Sequence, residues 1–94
     1  MLFVIYATDA DDALAKRAEH YPAHKAFLSD AARHGVEIVM SGPLVQDDGE
    51  TRCGSLMVID AANRAVAENF HHADPFYIAG VWKTLPITVF LRAR

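Results

Sequence analysis

Two stretches of the chain are apolar at successive positions rather than alternate ones: Phe3-Val4-Ile5 and Leu56-Met57-Val58-Ile59. A strand with one solvated face alternates apolar and polar residues, whereas a continuous run asks for burial on both faces. A sheet built on these two strands therefore needs two covers. The remaining helical segments suffice for one.

The order of elements follows from pattern and punctuation. Leu2 to Ala7 is a strand, and Thr8-Asp9 signals a turn and a helix start. The spacing predicts a helix over Asp9 to Glu19, with Leu14 and Ala18 on one face. Pro22, whose ring clashes inside a helix but suits a first turn, predicts a second helix to His34. Gly35 stops it, and Ala23, Phe27 and Ala31, flanked by Leu28, form its apolar stripe. Val36 to Ser41 reads as a strand ended by Gly42-Pro43, and the polar Gln46 to Glu50 as a turn before a strand at Ser55 to Ile59. Asp60 is placed to cap a helix reaching His72, with Ala62, Val66 and Phe70 on one face. Asp74-Pro75 opens a short turn. Val81 to Leu91 is the last strand, interrupted by Pro86, which argues for a bulge or an edge position.

This β-α-β-β-α-β order, with the first α split in two, is the ferredoxin-like split βαβ arrangement. The fold expected is α+β, with helices on one face of a four-stranded antiparallel sheet. At 94 residues the chain makes one domain, 1–94, and small domains bury a smaller fraction of their surface than large ones. The second sheet face is met most simply by another copy packed sheet to sheet, which predicts a homodimer. The alternative is a patch for a larger partner.

Charge and hydropathy exclude several classes. The net charge is −3 and the basic residues are spread without a run, so no phosphate-backbone footprint is present and nucleic acid is not expected. No segment approaches the roughly 20 apolar residues of a membrane-spanning helix, and the first six residues lack the charged region of a signal peptide. With 52% hydrophobic and 22% charged residues, a soluble cytoplasmic protein is expected. The single cysteine, Cys53, cannot form an internal disulfide, in keeping with a reducing compartment.

An ordered set of short motifs spans nearly the whole chain: Phe3-Val4-Ile5-Tyr6, Lys16-Arg17, Pro22-Ala23-His24, Ser41-Gly42-Pro43, Gly54-Ser55, Ala73-Asp74-Pro75-Phe76 and Ala79-Gly80-Val81. In this set the chain resembles the YciI-like proteins, a branch of the dimeric α+β barrel superfamily. The resemblance implies a ferredoxin-like subunit, a sheet-to-sheet dimer, and a cleft in which His24 and Asp74 are a catalytic pair. Some members resemble dehalogenating or lactone-processing enzymes of hydroxylated aromatic breakdown products, which indicates a reaction class rather than a substrate.

The residues bear their own reading. An imidazole takes and returns a proton near neutral pH, and a carboxylate bonded to one ring nitrogen fixes the tautomer of the other. Asp74 fits that carboxylate; an Asp directly before Pro is equally a helix N-cap, and one residue can serve both ends. His24 is expected in the first turn of its helix, where the dipole disfavours imidazolium; a histidine that only packs or caps is the alternative. Ser41 and Gly42 can hold a substrate oxygen, though no G-x-S-x-G surrounds Ser41 to make it a nucleophile. Arg17 can orient a carboxylate or phenolate, or lie on a solvated helix face. Phe76, with Tyr77 and Trp82, can wall an apolar pocket or fill the core. His20 and His24 are four apart, but Pro22 between them spoils a zinc-type face, and His71-His72 point apart; no metal or cofactor is expected. Cys53 beside Arg52 is read as a small buried or half-buried residue. The function expected is cofactor-free proton transfer on a small oxygenated metabolite, by isomerisation, elimination or lactone opening. The alternatives are a small-molecule-binding or regulatory module, and a structural partner of a larger enzyme.

Overall fold

The computed structural model describes residues 1–94. Its elements are β1 (Leu2–Asp9), α1 (Ala13–Ser29), a 3-10 turn (Ala31–His34), β2 (Val36–Val45), β3 (Arg52–Ala61), α2 (Arg64–Ala73), α3 (Pro75–Ile78), β4 (Trp82–Thr84) and β5 (Ile87–Phe90). All pairings are antiparallel, and the strands lie in the order β2-β3-β1-β4, with β5 continuing along the same edge of β1. β4 and β5 are thus two pieces of one edge strand, and the sheet has the four positions of the ferredoxin-like fold. The interruption has a direct cause. Tyr6 donates its N–H to the Pro86 carbonyl at 3.2 Å, but proline has no N–H with which to return the bond that an antiparallel pair exchanges.

The register sorts side chains onto two faces. Phe3, Ile5 and Ala7 lie opposite Ile59, Met57 and Ser55, and all six are buried on the helix side. Phe70 of α2 and Phe76 of α3 complete that core with Val81 and Trp82. Val4 and Tyr6 lie opposite Val58 and Leu56 on the other face, joined by Met40 of β2 and Phe90 of β5. No helix covers this second face. Tyr6, Met40 and Phe90 are 49%, 58% and 43% exposed.

Four local expectations are corrected. Pro22 does not divide the first helical segment; α1 runs continuously from Ala13 to Ser29 with Pro22 inside it. Ala18, whose carbonyl loses its donor, and Pro22 itself are both on exposed positions, so water is available where the bond is missing. Residues 31–34 close as 3-10 rather than α, ending at Gly35 in the left-handed region (φ 73°). β2 continues through Gly42-Pro43 to Val45, because it is an edge strand and tolerates proline there. Asp60 stays in β3, where it pairs with the N-terminal ammonium at 3.0 Å, and the cap of α2 is Asn63, whose Oδ1 accepts from the Val66 N–H at 3.0 Å. No helix is long and apolar enough to cross a membrane.

α1 contributes only two buried side chains, Ala13 and His24. Ala23, expected in its apolar stripe, is exposed, and Phe27 and Leu28 are half-buried. The helix rests on α3 at one side and leans over the β2–β3 end of the sheet without closing onto it. The space left beneath it is the site.

Candidate functional site

A cavity of about 770 Å³ opens between α1 and the β2–β3 strands. Five of the six residues singled out from sequence line it: Arg17 and His24 from α1, Ser41 and Gly42 from β2, and Phe76 from α3. The sixth, Asp74, lies fully buried behind His24. Fifty residues of sequence separation collapse to one hydrogen bond of 2.7 Å between His24 Nδ1 and Asp74 Oδ1.

The position of Asp74 comes from local chemistry. It is extended (φ −63°, ψ 128°) before Pro75 at the first position of α3, and its Oδ1 also accepts the Phe76 N–H at 2.9 Å. Proline needs no partner for a missing N–H, so the next amide is the one the cap satisfies. Cap and partner of His24 are one residue. A carboxylate offers only acceptors, so His24 Nδ1 is the donor, and in the neutral ring Nε2 is left with its lone pair. Nε2 has no protein partner, is not among the sealed polar atoms, and belongs to a residue on the cavity wall.

The imidazole is held by aromatic packing as well. It stacks on Phe76 with centroids 3.9 Å apart and planes 3° from parallel, and meets Trp82 edge-on at 6.3 Å. Its expected place in a first helical turn is corrected, because α1 is not interrupted at Pro22. His24 sits well inside the helix, where the dipole argument does not apply.

Arg17 is built into the floor. Its Nε and Nη2 donate to the two carboxylate oxygens of Asp9 at 2.7 and 2.9 Å, and Nη2 also reaches the Gly54 carbonyl at 2.5 Å and Ser55 Oγ at 2.9 Å. Ser55 Oγ in turn accepts the indole N–H of Trp82 at 3.3 Å. This fork ties the start of α1 to the ends of β1 and β3, while Nη1 has no protein partner. The Arg17 guanidinium also lies 5.3 Å from the Phe76 ring centre, which couples the floor to the aromatic support of His24.

Asp9 and Ser55 are not site candidates from sequence, and Trp82 enters there only as an aromatic that can wall a pocket or fill the core. Asp9 looked like a helix start, and its distance of eight residues from Arg17 matches no local spacing rule; Gly54-Ser55 and Trp82 carried only motif-level or compositional signals. Cys53 is exposed rather than buried. No group of three His, Cys, Asp or Glu side chains converges as a metal site.

His71 lies behind the pair, fully buried, stacked on Trp82 with centroids 5.3 Å apart, and neither ring nitrogen has a hydrogen-bond partner. Burial pushes its pKa down to about 4, a shift that the Asp74 charge opposes and the neighbouring His72 reinforces. The folded value lies below the unfolded one, so the native state binds fewer protons between pH about 6.5 and about 4, and stability falls with pH through that window. His71→Leu is expected to flatten this acid loss, which is on the order of a few kcal/mol. Urea midpoints measured across the window check it; an unchanged slope in the variant refutes the assignment.

The chain matches the YCII-related domain over residues 1–91. It is 32% identical over 95 residues to Protein YciI of Escherichia coli O6:H1 (strain CFT073) and, at the same identity, to Protein YciI of Shigella flexneri, with 96% of each chain covered. Among solved structures it is similar to 5-chloro-2-hydroxyhydroquinone dehydrochlorinase from Burkholderia phenoliruptrix AC1100, determined in complex with 2,5-dihydroxybenzoquinone. The TM-score is 0.85 at 28% identity, covering 99% of this chain and 96% of that one. With its ferredoxin-like sheet and a family match along nearly its whole length, this chain belongs to the YciI (YCII-related) family.

Proposed function

We propose that the protein is a cofactor-free acid–base enzyme acting on a small oxygenated metabolite, with His24 as the proton acceptor and Asp74 as the group that orients it. The observation that carries this reading is the 2.7 Å bond from His24 Nδ1 to a fully buried carboxylate, with Nε2 left open toward a cavity. His24 Nε2 takes a proton from a substrate O–H or C–H. The released electron pair then shifts toward a carbon carrying a leaving group, which departs as its anion, or is quenched by return of the same proton elsewhere on the molecule. The first course is elimination and the second isomerisation. Similarity to a dehydrochlorinase supports elimination as the first course to test. Ser41, the Gly42 backbone and Arg17 Nη1 are proposed to hold substrate oxygens, and Phe76 to back the imidazole.

The test is to incubate the protein with halogenated hydroxyquinols, enol acids and lactones while following products by NMR and released halide by ion chromatography. Conversion above the protein-free rate is expected for at least one class. Binding without conversion across the panel overturns the enzyme reading in favour of a binding module.

We further propose that two copies pair through the helix-free sheet face. Only 20 of the 94 residues are buried in the single chain, and the exposed Tyr6, Met40 and Phe90 share that face with Val4, Leu56 and Val58. Leu56→Glu sets an unpaired carboxylate at the middle of that contact and is expected to weaken pairing by about 3 kcal/mol or more. Sedimentation velocity should show monomer; an unchanged dimer refutes the arrangement.

A further inference from the structure

The cavity is one-sided in charge. The chain carries 12 acidic residues against 9 Lys and Arg, yet no acidic side chain lines the cavity while Arg17, Lys25 and Arg52 do. These three cations are not equivalent. Asp9 neutralises Arg17 through a two-point contact. Lys25 and Arg52 take part in none of the chain's ion pairs. The only side-chain hydrogen bond of Arg52 runs from Nη1 to the backbone carbonyl of Glu50 at 2.7 Å, and Lys25 Nζ makes none.

The two free cations approach from different walls. Lys25 follows His24 directly on α1, and Arg52 is the first residue of β3. In an acidic protein, uncompensated positive charge concentrated at one concave surface enriches anions there. The cavity's volume falls in the range of small-molecule sites, and Tyr21 and Phe76 add aromatic surface to its lining. Loss of a proton to His24 adds negative charge to whatever is bound, and the same two cations stabilise that charge as it develops.

We propose that the substrate is a small organic anion, its carboxylate or phenolate held between Lys25 and Arg52 while the proton to be moved faces His24 Nε2. This rests on the acid–base reading of the cavity. Its test separates the two. A panel of monocyclic carboxylates with their primary amides, and 2,5-dihydroxybenzoquinone with its dimethyl ether, is titrated into isotopically labelled protein. The His24 ring signals are followed at low and moderate NaCl in the wild type, Lys25→Gln, Arg52→Gln and the double variant. Both side chains are free of ion pairs, and thermal melts check that each variant stays folded.

The expected result is that anions, and not their neutral partners, shift the His24 signals. Each single variant then weakens binding about two- to fivefold, and the double variant loses most of the salt dependence. Equal response to anions and neutral partners at His24 overturns the charge preference and leaves the acid–base cavity standing. Anion binding that is blind to both substitutions overturns Lys25 and Arg52 as its anchors. Binding that spares His24 throughout, or no anion binding at all, overturns the inference, and the first of these removes the cavity reading with it.

Discussion

His24→Asn is expected to lower turnover by about 10²- to 10⁴-fold while the protein stays folded. Asparagine presents an N–H₂ near the place of His24 Nδ1, so Asp74 keeps a donor, but nothing replaces Nε2 at the cavity. His24→Ala also removes the base, yet it leaves Asp74 buried with one partner fewer and takes the stacked ring away from Phe76. Its stability should fall by about 1–3 kcal/mol. The pair of variants therefore separates chemistry from packing. Both should be inactive toward whichever compound the wild type converts, and only the alanine variant should melt markedly earlier. Retained turnover in a folded His24→Asn protein would falsify the assignment of His24 as the base.

Asp74 carries the second large expectation, because one oxygen does two tasks. Asp74→Ala removes the cap of α3 and the partner of His24 together. Loss of an N-cap costs about 0.5–2 kcal/mol, and an unsatisfied buried donor about 1–3. A combined loss of about 2–4 kcal/mol is expected, read as a lower urea midpoint at neutral pH. Asp74→Asn divides the tasks. Its carbonyl oxygen can still accept the Phe76 N–H, so α3 keeps its cap, but a neutral amide holds the imidazole without the carboxylate's charge. Stability should recover most of the alanine loss, while turnover stays at least about tenfold down. If both variants turn over at the wild-type rate, Asp74 is a cap and nothing more.

The parts of the fold that were legible are those that depend on local rules. The runs at Phe3-Val4-Ile5 and Leu56-Met57-Val58-Ile59 do form adjacent strands, directly paired by Phe3 with Ile59 and Val4 with Val58. Pro86 breaks the edge strand and Gly35 stops the preceding helical segment. Pro22 misled, because a propensity penalty of about 3 kcal/mol is smaller than what tertiary context can override. Asp60 misled as a cap because Asn63 offers the same chemistry three residues later, and β3 extends far enough to claim Asp60.

The site divides along the same line. His24 and Asp74 were visible because each lies in a distinctive short motif, and Asp-Pro already specifies a capped turn. Nothing local indicates that Arg17 is spent on Asp9, that Ser55 joins it to Trp82, or that Lys25 and Arg52 remain without ion partners.

By itself, then, the sequence determined the order of elements, the two-sided demand of the central strands, and the short motifs that carry His24 and Asp74. Each of these is written in neighbours a few positions apart. Only the tertiary structure decided that His24 and Asp74 meet, that α1 crosses Pro22 without a break, and that the cavity beneath it gathers positive charge in an acidic chain. Those outcomes depend on pairings between residues tens of positions apart, which strand register and helix packing set together.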